Sequence, residues 1–182
     1  MKLGRKPRPP SAIQLAVETG NPALIEAVEQ SSKLLHRKAM MAALASATPI
    51  PGLDMAVDAA LLSRLIPQIS NNFGLGDEQI ARLPPAKRDK VQNTVNMLGG
   101  VLIGKLITKD VIMRAAKAIG VRLTAQQASK YVPIAGQAIA AALGYATLRY
   151  LGEQHLRDCV RVAHEAGLAL PAPATPLRDR LR

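Results

Sequence analysis

Apolar positions recur along most of this chain at helical rather than strand spacing, and prolines and glycines cut the pattern into segments. Ser11 and Gln14 form a capping-box pattern that opens a short helix, stopped at Gly20. Asn21-Pro22 places a good N-cap residue before a proline at the first helical position. The helix it opens is expected to reach about residue 48. Its first half is amphipathic, with Glu29 four residues before Lys33 as in a helix pair. Its second half, AMMAALASA, is apolar on every side. Pro49-Ile50-Pro51-Gly52 then breaks it, because two prolines remove donors and restrict their predecessors.

The next segment predicts a helix over about 53–73, kinked near Ser63 by Pro67 and ended by Gly74. Asp77 and Glu78 start a short helix, since a helix N-terminus favours negative charge, and Pro84-Pro85 stops it. A longer helix starts near Ala86 and carries NMLGGVLIGKLI; Thr108 or Asp110 restarts it, and Gly120 closes it. Thr124 and Gln127 repeat the capping-box spacing. A last helix follows Val132-Pro133-Ile134-Ala135-Gly136 and runs to about residue 166. The turn at Pro49–Gly52 with Ala56 is echoed by Pro133–Gly136 with Ala140, which reads either as ordinary reuse of proline turns or as two related hairpins. The pattern as a whole predicts an all-α fold, a multi-helix bundle with two proline-turn helical hairpins in a single domain over 11–167. Residues 1–10 are expected to form a disordered basic arm, and residues 168–182, with Pro171, Pro173 and Pro176, a disordered tail.

Composition supports the helical reading. Hydrophobic residues make up 48% of the chain but aromatics only 2%, so the core must be built from Ala, Leu, Ile, Val and Met. The formal charge of +11 draws the chain toward polyanions. Single-stranded nucleic acid is disfavoured, because bases stack on aromatic side chains and here there is no Trp, one Phe (Phe73) and three Tyr. Duplex DNA, gripped through phosphates, stays open. An anionic membrane surface fits better: Lys2, Arg5, Lys6, Arg8, Lys105, Lys109, Arg114 and Lys117 are its expected contacts, each basic residue adding about 1 kcal/mol near such a surface. Cys159 stands alone, so no intrachain disulfide forms, and the basic N-terminus lacks the apolar stretch of a secretory signal. The expected location is cytoplasmic, or membrane-associated on the cytoplasmic side.

Candidate chemistry is sparse. Gly99-x-x-x-x-Gly104-Lys105-Leu106 is one residue short of a phosphate-binding loop, with Leu106 where a magnesium-holding hydroxyl belongs. The run also sits in a helical pattern, so Gly100 and Gly104, four apart, read better as a close-packing helix face. Gly136, Ala140 and Gly144 repeat the device. Residues 131–148 carry no charge, which suits either a buried helix or a membrane-inserted one. Asp54 and Asp58 lie four apart without a nearby histidine; Asp54, in a first helical turn, reads as structural. His155, Asp158 and Cys159 share a helix face but lack the second cysteine of a common zinc set, and are read as ordinary surface residues. No catalytic residue, metal or cofactor is expected.

The turn Ala47-Thr48-Pro49-Ile50-Pro51-Gly52-Leu53-Asp54, followed by an apolar helix ending Asn72-Phe73-Gly74, resembles the GTPase-associated helical domain of the YcjF type. The later P-x-x-G turn, Pro133 and Gly136, matches that group too, and the likeness covers 39–152. EcsC-like helical proteins share the later turn and are a second resemblance. Such domains stand behind or beside Ras-like GTPase domains and many are membrane-associated; this chain lacks the GTPase part, so a GTP-linked role requires a GTPase supplied by a separate partner. It implies no catalytic residues. The leading expectation is a non-enzymatic, membrane-associated helical adaptor, with homo-oligomerisation left open. Rival expectations are a soluble helical interaction bundle, a charge-driven nucleic-acid binder and a membrane-permeabilising toxin.

Overall fold

A computed structural model describes residues 9–46, 53–98 and 133–170. Among these the chain is all-α, without a strand. In chain order the helices are α1 (Ala12–Glu18), α2 (Pro22–Ser46), α3 (Leu53–Asn72), α4 (Asp77–Ala81), α5 (Pro85–Leu98) and α6 (Pro133–Glu165).

The starts and stops follow local chemistry. Ser11 Oγ accepts from the Gln14 backbone N–H at 3.4 Å while Gln14 Oε1 accepts from the Ser11 N–H at 2.8 Å, the reciprocal capping box. Gly20 takes the left-handed conformation that ends the first helical stretch. Gly74 does the same after α3, and the Leu75 N–H returns to the Ser70 carbonyl at 2.9 Å. Proline opens α2, α5 and α6, where its missing donor costs nothing. Helix α3 continues on both sides of exposed Pro67 as one element.

Helices α2, α3 and α6 form the centre of the bundle, and α1 and α5 pack on its flanks. The α2 stripe of Leu24, Val28, Leu35, Ala39 and Ala42 meets Leu62, Leu65, Ile69 and Phe73 of α3, and Leu148, Leu156, Val160 and Ala163 of α6, in one buried core. These spacings of three, four and seven are the apolar face of a helix. The ordered chain runs past the expected end of the domain. Gly167 is left-handed, the Leu168 N–H bonds the Ala163 carbonyl at 3.0 Å, and Leu168 is buried. The apolar contact of this cap draws Leu168 into the core instead of releasing it as tail.

Charge divides unevenly. The described residues contain eleven Lys or Arg and eleven Asp or Glu, so the whole excess of +11 belongs to residues 1–8, 99–132 and 171–182. The helical body is neutral.

Candidate functional sites

Three contacts set the register of the central helices. Asn72 Nδ2 donates to Ser31 Oγ at 2.9 Å, joining α3 to α2. Ser70 Oγ lies 3.0 Å from His155 Nε2, joining α3 to α6. Gly152 of α6 receives the side chain of Leu35 from α2, so closely that a Cβ at 152 would overlap it. Helices α3 and α6 therefore run alongside each other and antiparallel to α2.

The first site is polar and buried. Ser70, His155 and Cys159 meet between α3 and α6, with Cys159 Sγ at 3.5 Å from His155 Nε2 and both His155 and Cys159 at 0% exposure. This corrects the reading of His155 and Cys159 as surface residues: α3 covers the face of α6 that carries them. Asp158, one position round the helix, is only half-buried. Burial lowers the His155 pKa from 6.5 to about 4, partly offset by the Ile66 backbone, and keeps the ring neutral. No hydrogen bond of good geometry closes on His155 Nδ1. The Cys159 thiol is pushed well up by burial, then by the Asp158 charge, with the Ser70 hydroxyl acting the other way. A Ser–His pair at this distance has the spacing of a nucleophile and its base, but no substrate reaches side chains this deep. Cys159 should react with a thiol reagent such as Ellman's reagent only at the rate of unfolding; rapid labelling of the folded chain would show that the site opens. Among the described residues no three His, Cys, Asp or Glu side chains are grouped to hold a metal ion. A groove of about 200 Å³ between α1 and the end of α6, beside Leu15 and Val160, is smaller than the ~300 Å³ at which small-molecule pockets begin.

The second site is one end of the bundle. Counting from the three contacts, Lys38 of α2, Arg64 of α3 and Arg149 of α6 reach nearly the same height, within about 3 Å at 1.5 Å per residue. Arg37 and Tyr150 stand beside them, both exposed. Beyond this height the rest of α2 is uncharged and so is α6 back to Pro133. Here Met40, Met41 and Leu44 face solvent, Leu44 at 70% exposure. No acid occurs in α2 after Glu29, in α3 after Asp58, or in α6 before Glu153. The apolar second half of α2 and the uncharged stretch 131–148 that the sequence picks out thus share this end, through residues 39–46 and 133–148.

Other expected residues fall as follows. Gly144 is buried, as a packing face requires, and α6 carries Gly136 and Ala140 in the same row. Gly152 continues that row by two further steps of four and makes the close approach to α2; the sequence reading stopped two steps short. Asp54 lies in the first turn of α3 and Pro133 opens α6. Pro49, Pro51, Gly52, Gly100, Gly104, Lys2, Arg5, Lys6, Arg8, Lys105, Lys109, Arg114 and Lys117 lie outside the described residues. No helix among the described residues is long and apolar enough to cross a membrane. The cationic level at Arg37, Lys38, Arg64 and Arg149 was missed, because only the packing brings three distant segments to one height.

No family model matches the chain. No solved structure matches it either. Two relatives carry one name: the chain is 25% identical over 129 residues to interferon-inducible GTPase 5 of Bos taurus, and 24% identical over 129 residues to that of Rattus norvegicus. Each match covers 68% of this chain and 28% of the relative, so the chain spans under a third of the length of these GTPases. At this identity the matches do not make it a member of their family, and they name neither the YcjF-type nor the EcsC-like group.

Proposed function

We propose that the chain is a non-enzymatic helical adaptor that works with a GTPase at an anionic membrane surface. The observation that carries the reading is a partial match to proteins named as GTPases by a chain whose described residues form helices and no strand. Phosphate-binding loops of GTPases follow a buried strand and hold magnesium through a Ser or Thr. The described residues supply no strand, and the nearest sequence match, ending at Leu106, has no hydroxyl at that position. The GTP chemistry is therefore assigned to a partner. Charge also supports the membrane part: +11 is concentrated in three segments beside a neutral body.

Two measurements test this. The purified full chain is titrated against a fluorescent GTP analogue with magnesium, and no binding is expected; saturable binding would overturn the non-enzymatic half. Proximity labelling with the full chain as bait, in lysate loaded with GDP or a non-hydrolysable GTP analogue, should mark a GTPase in one nucleotide state more than in the other. Labelling that contains no GTPase in either state would remove the adaptor half.

A further inference from the structure

From the cations and exposed apolar side chains at one end of the bundle, we infer that this chain meets an anionic lipid surface end-on. In this pose Met40, Met41 and Leu44 enter the headgroup layer, and Arg37, Lys38, Arg64 and Arg149 form the band that contacts lipid phosphates. The inference rests on the membrane part of the proposed function and deepens it by naming the docking face.

Four observations converge on that end. Three packed helices, α2 and the two that run antiparallel to it, each contribute a cation at one height, as the contacts Ser31–Asn72, Ser70–His155 and Leu35–Gly152 require. Because α2, α3 and α6 pack on one another, their outward cations face different sides of the bundle. A partner helix lying along one groove would touch one side; a planar anionic surface met end-on touches all of them. No acid accompanies the band in α2 after Glu29 or in α6 before Glu153, and the acids on the tip side of Arg64 in α3 are Asp54 and Asp58. Met40, Met41 and Leu44 lie beyond the cations, on the uncharged side, in the order that interfacial binding needs, with apolar groups deeper than the charged ones. Tyr150 is exposed at the level of the band, and an aromatic ring with a polar tip is favoured at the water–lipid boundary. Charge at the far tip is the opposing term: Asp54 and Asp58 lie in the first turns of α3. In sequence, the segment 99–132 that leads into α6 carries six Lys or Arg against one acid, an excess that outweighs these two carboxylates. No crossing helix is needed for this pose, in which the bundle lies on the leaflet and does not span it.

The test is co-sedimentation of the full chain with vesicles of phosphatidylcholine alone or mixed with phosphatidylserine, at low and at raised salt. The unaltered chain should bind only the anionic vesicles, and more weakly as salt rises. Arg37→Glu with Arg64→Glu should weaken binding by about tenfold or more, since each cation near such a surface contributes comparably. Met40→Gln with Leu44→Gln should weaken it at both salt concentrations. Lys87→Glu with Lys90→Glu, exposed on α5 away from the band, is the control for total charge and should weaken binding much less. Circular dichroism melts identify any variant that fails to fold, and all four positions altered in the band and apolar set are solvent-exposed. If the unaltered chain ignores anionic vesicles, the membrane reading itself fails and a protein partner is the occupant of this end. If it binds but the band variants lose no more than the α5 control, the reading stands and the end-on pose is overturned.

Discussion

Gly152→Leu is expected to lower the free energy of unfolding by roughly 2 kcal/mol, the scale of overpacking a full core. The direction is informative because helix propensity alone predicts the opposite: glycine within a helix costs about 0.8–1.0 kcal/mol relative to alanine, and leucine ranks close to alanine. What reverses the sign is Leu35. Its side chain fills the place where a Cβ at 152 would stand, and Leu35 is fully buried, so it has no open volume to retreat into. Leu35→Ala alone should cost roughly 2–5 kcal/mol as a core truncation. Combining the two exchanges bulk across the same contact, and the double variant should be more stable than the sum of the single effects predicts, with a coupling above about 1 kcal/mol. Urea unfolding followed by circular dichroism provides all four corners of the cycle. A Gly152→Leu chain as stable as the parent would mean that α2 and α6 do not depend on this close approach.

Acid should destabilise the fold through His155. The ring has a pKa of about 4 in the folded chain against 6.5 as its ordinary value, so between those two pH values the unfolded chain takes up a proton that the folded chain refuses. Stability from this group is complete above about pH 6.5, declines as pH falls toward 4, and declines no further below that. The shift corresponds to about 3 kcal/mol, at 1.36 kcal/mol per pH unit. Asp158 acts in the opposite direction. Burial raises its pKa against the attraction of Arg161 and Arg157, so the folded chain gains relative stability as that carboxyl protonates. The His155 contribution is therefore read as a difference. Denaturation at pH 7.5 and at pH 4.5 is compared between the parent and His155→Gln, whose amide can still meet Ser70. The variant should lose most of the pH dependence seen between those values. Equal slopes in both chains would show that His155 is hydrated in the native state.

Local punctuation was legible from residues alone. Ser11 and Gln14, Asn21-Pro22, Gly20, Gly74 and Pro133 each announce a helix boundary through a donor, a missing donor or a left-handed turn, and the observed helices begin and end within about two residues of them. Pro85 starts α5 one residue before the expected Ala86, since proline itself is at ease in a first turn. Leu168 escaped because its burial comes from the cap after Gly167 and not from any helical period.

The candidate sites were less legible. Ser70 occupies a polar place in the apolar stripe of Leu62, Ile66, Ile69 and Phe73, and that irregularity was a signal of a buried polar partner. Its partner, 85 residues away, had none. His155 and Cys159 looked exposed because a polar pair four apart on a helix usually is. Gly152 could have been reached by extending the row Gly136, Ala140, Gly144, but Leu148 interrupts its small residues.

By itself the sequence determined the helices, because capping, proline chemistry and apolar spacing act over four residues or fewer. Tertiary structure alone decided that His155 and Cys159 are buried, that Gly152 is the point of closest approach, and that Lys38, Arg64 and Arg149 share one height. Each of those depends on how three helices slide past one another, and that displacement is set by side-chain interlock across the core, among residues far apart in the chain.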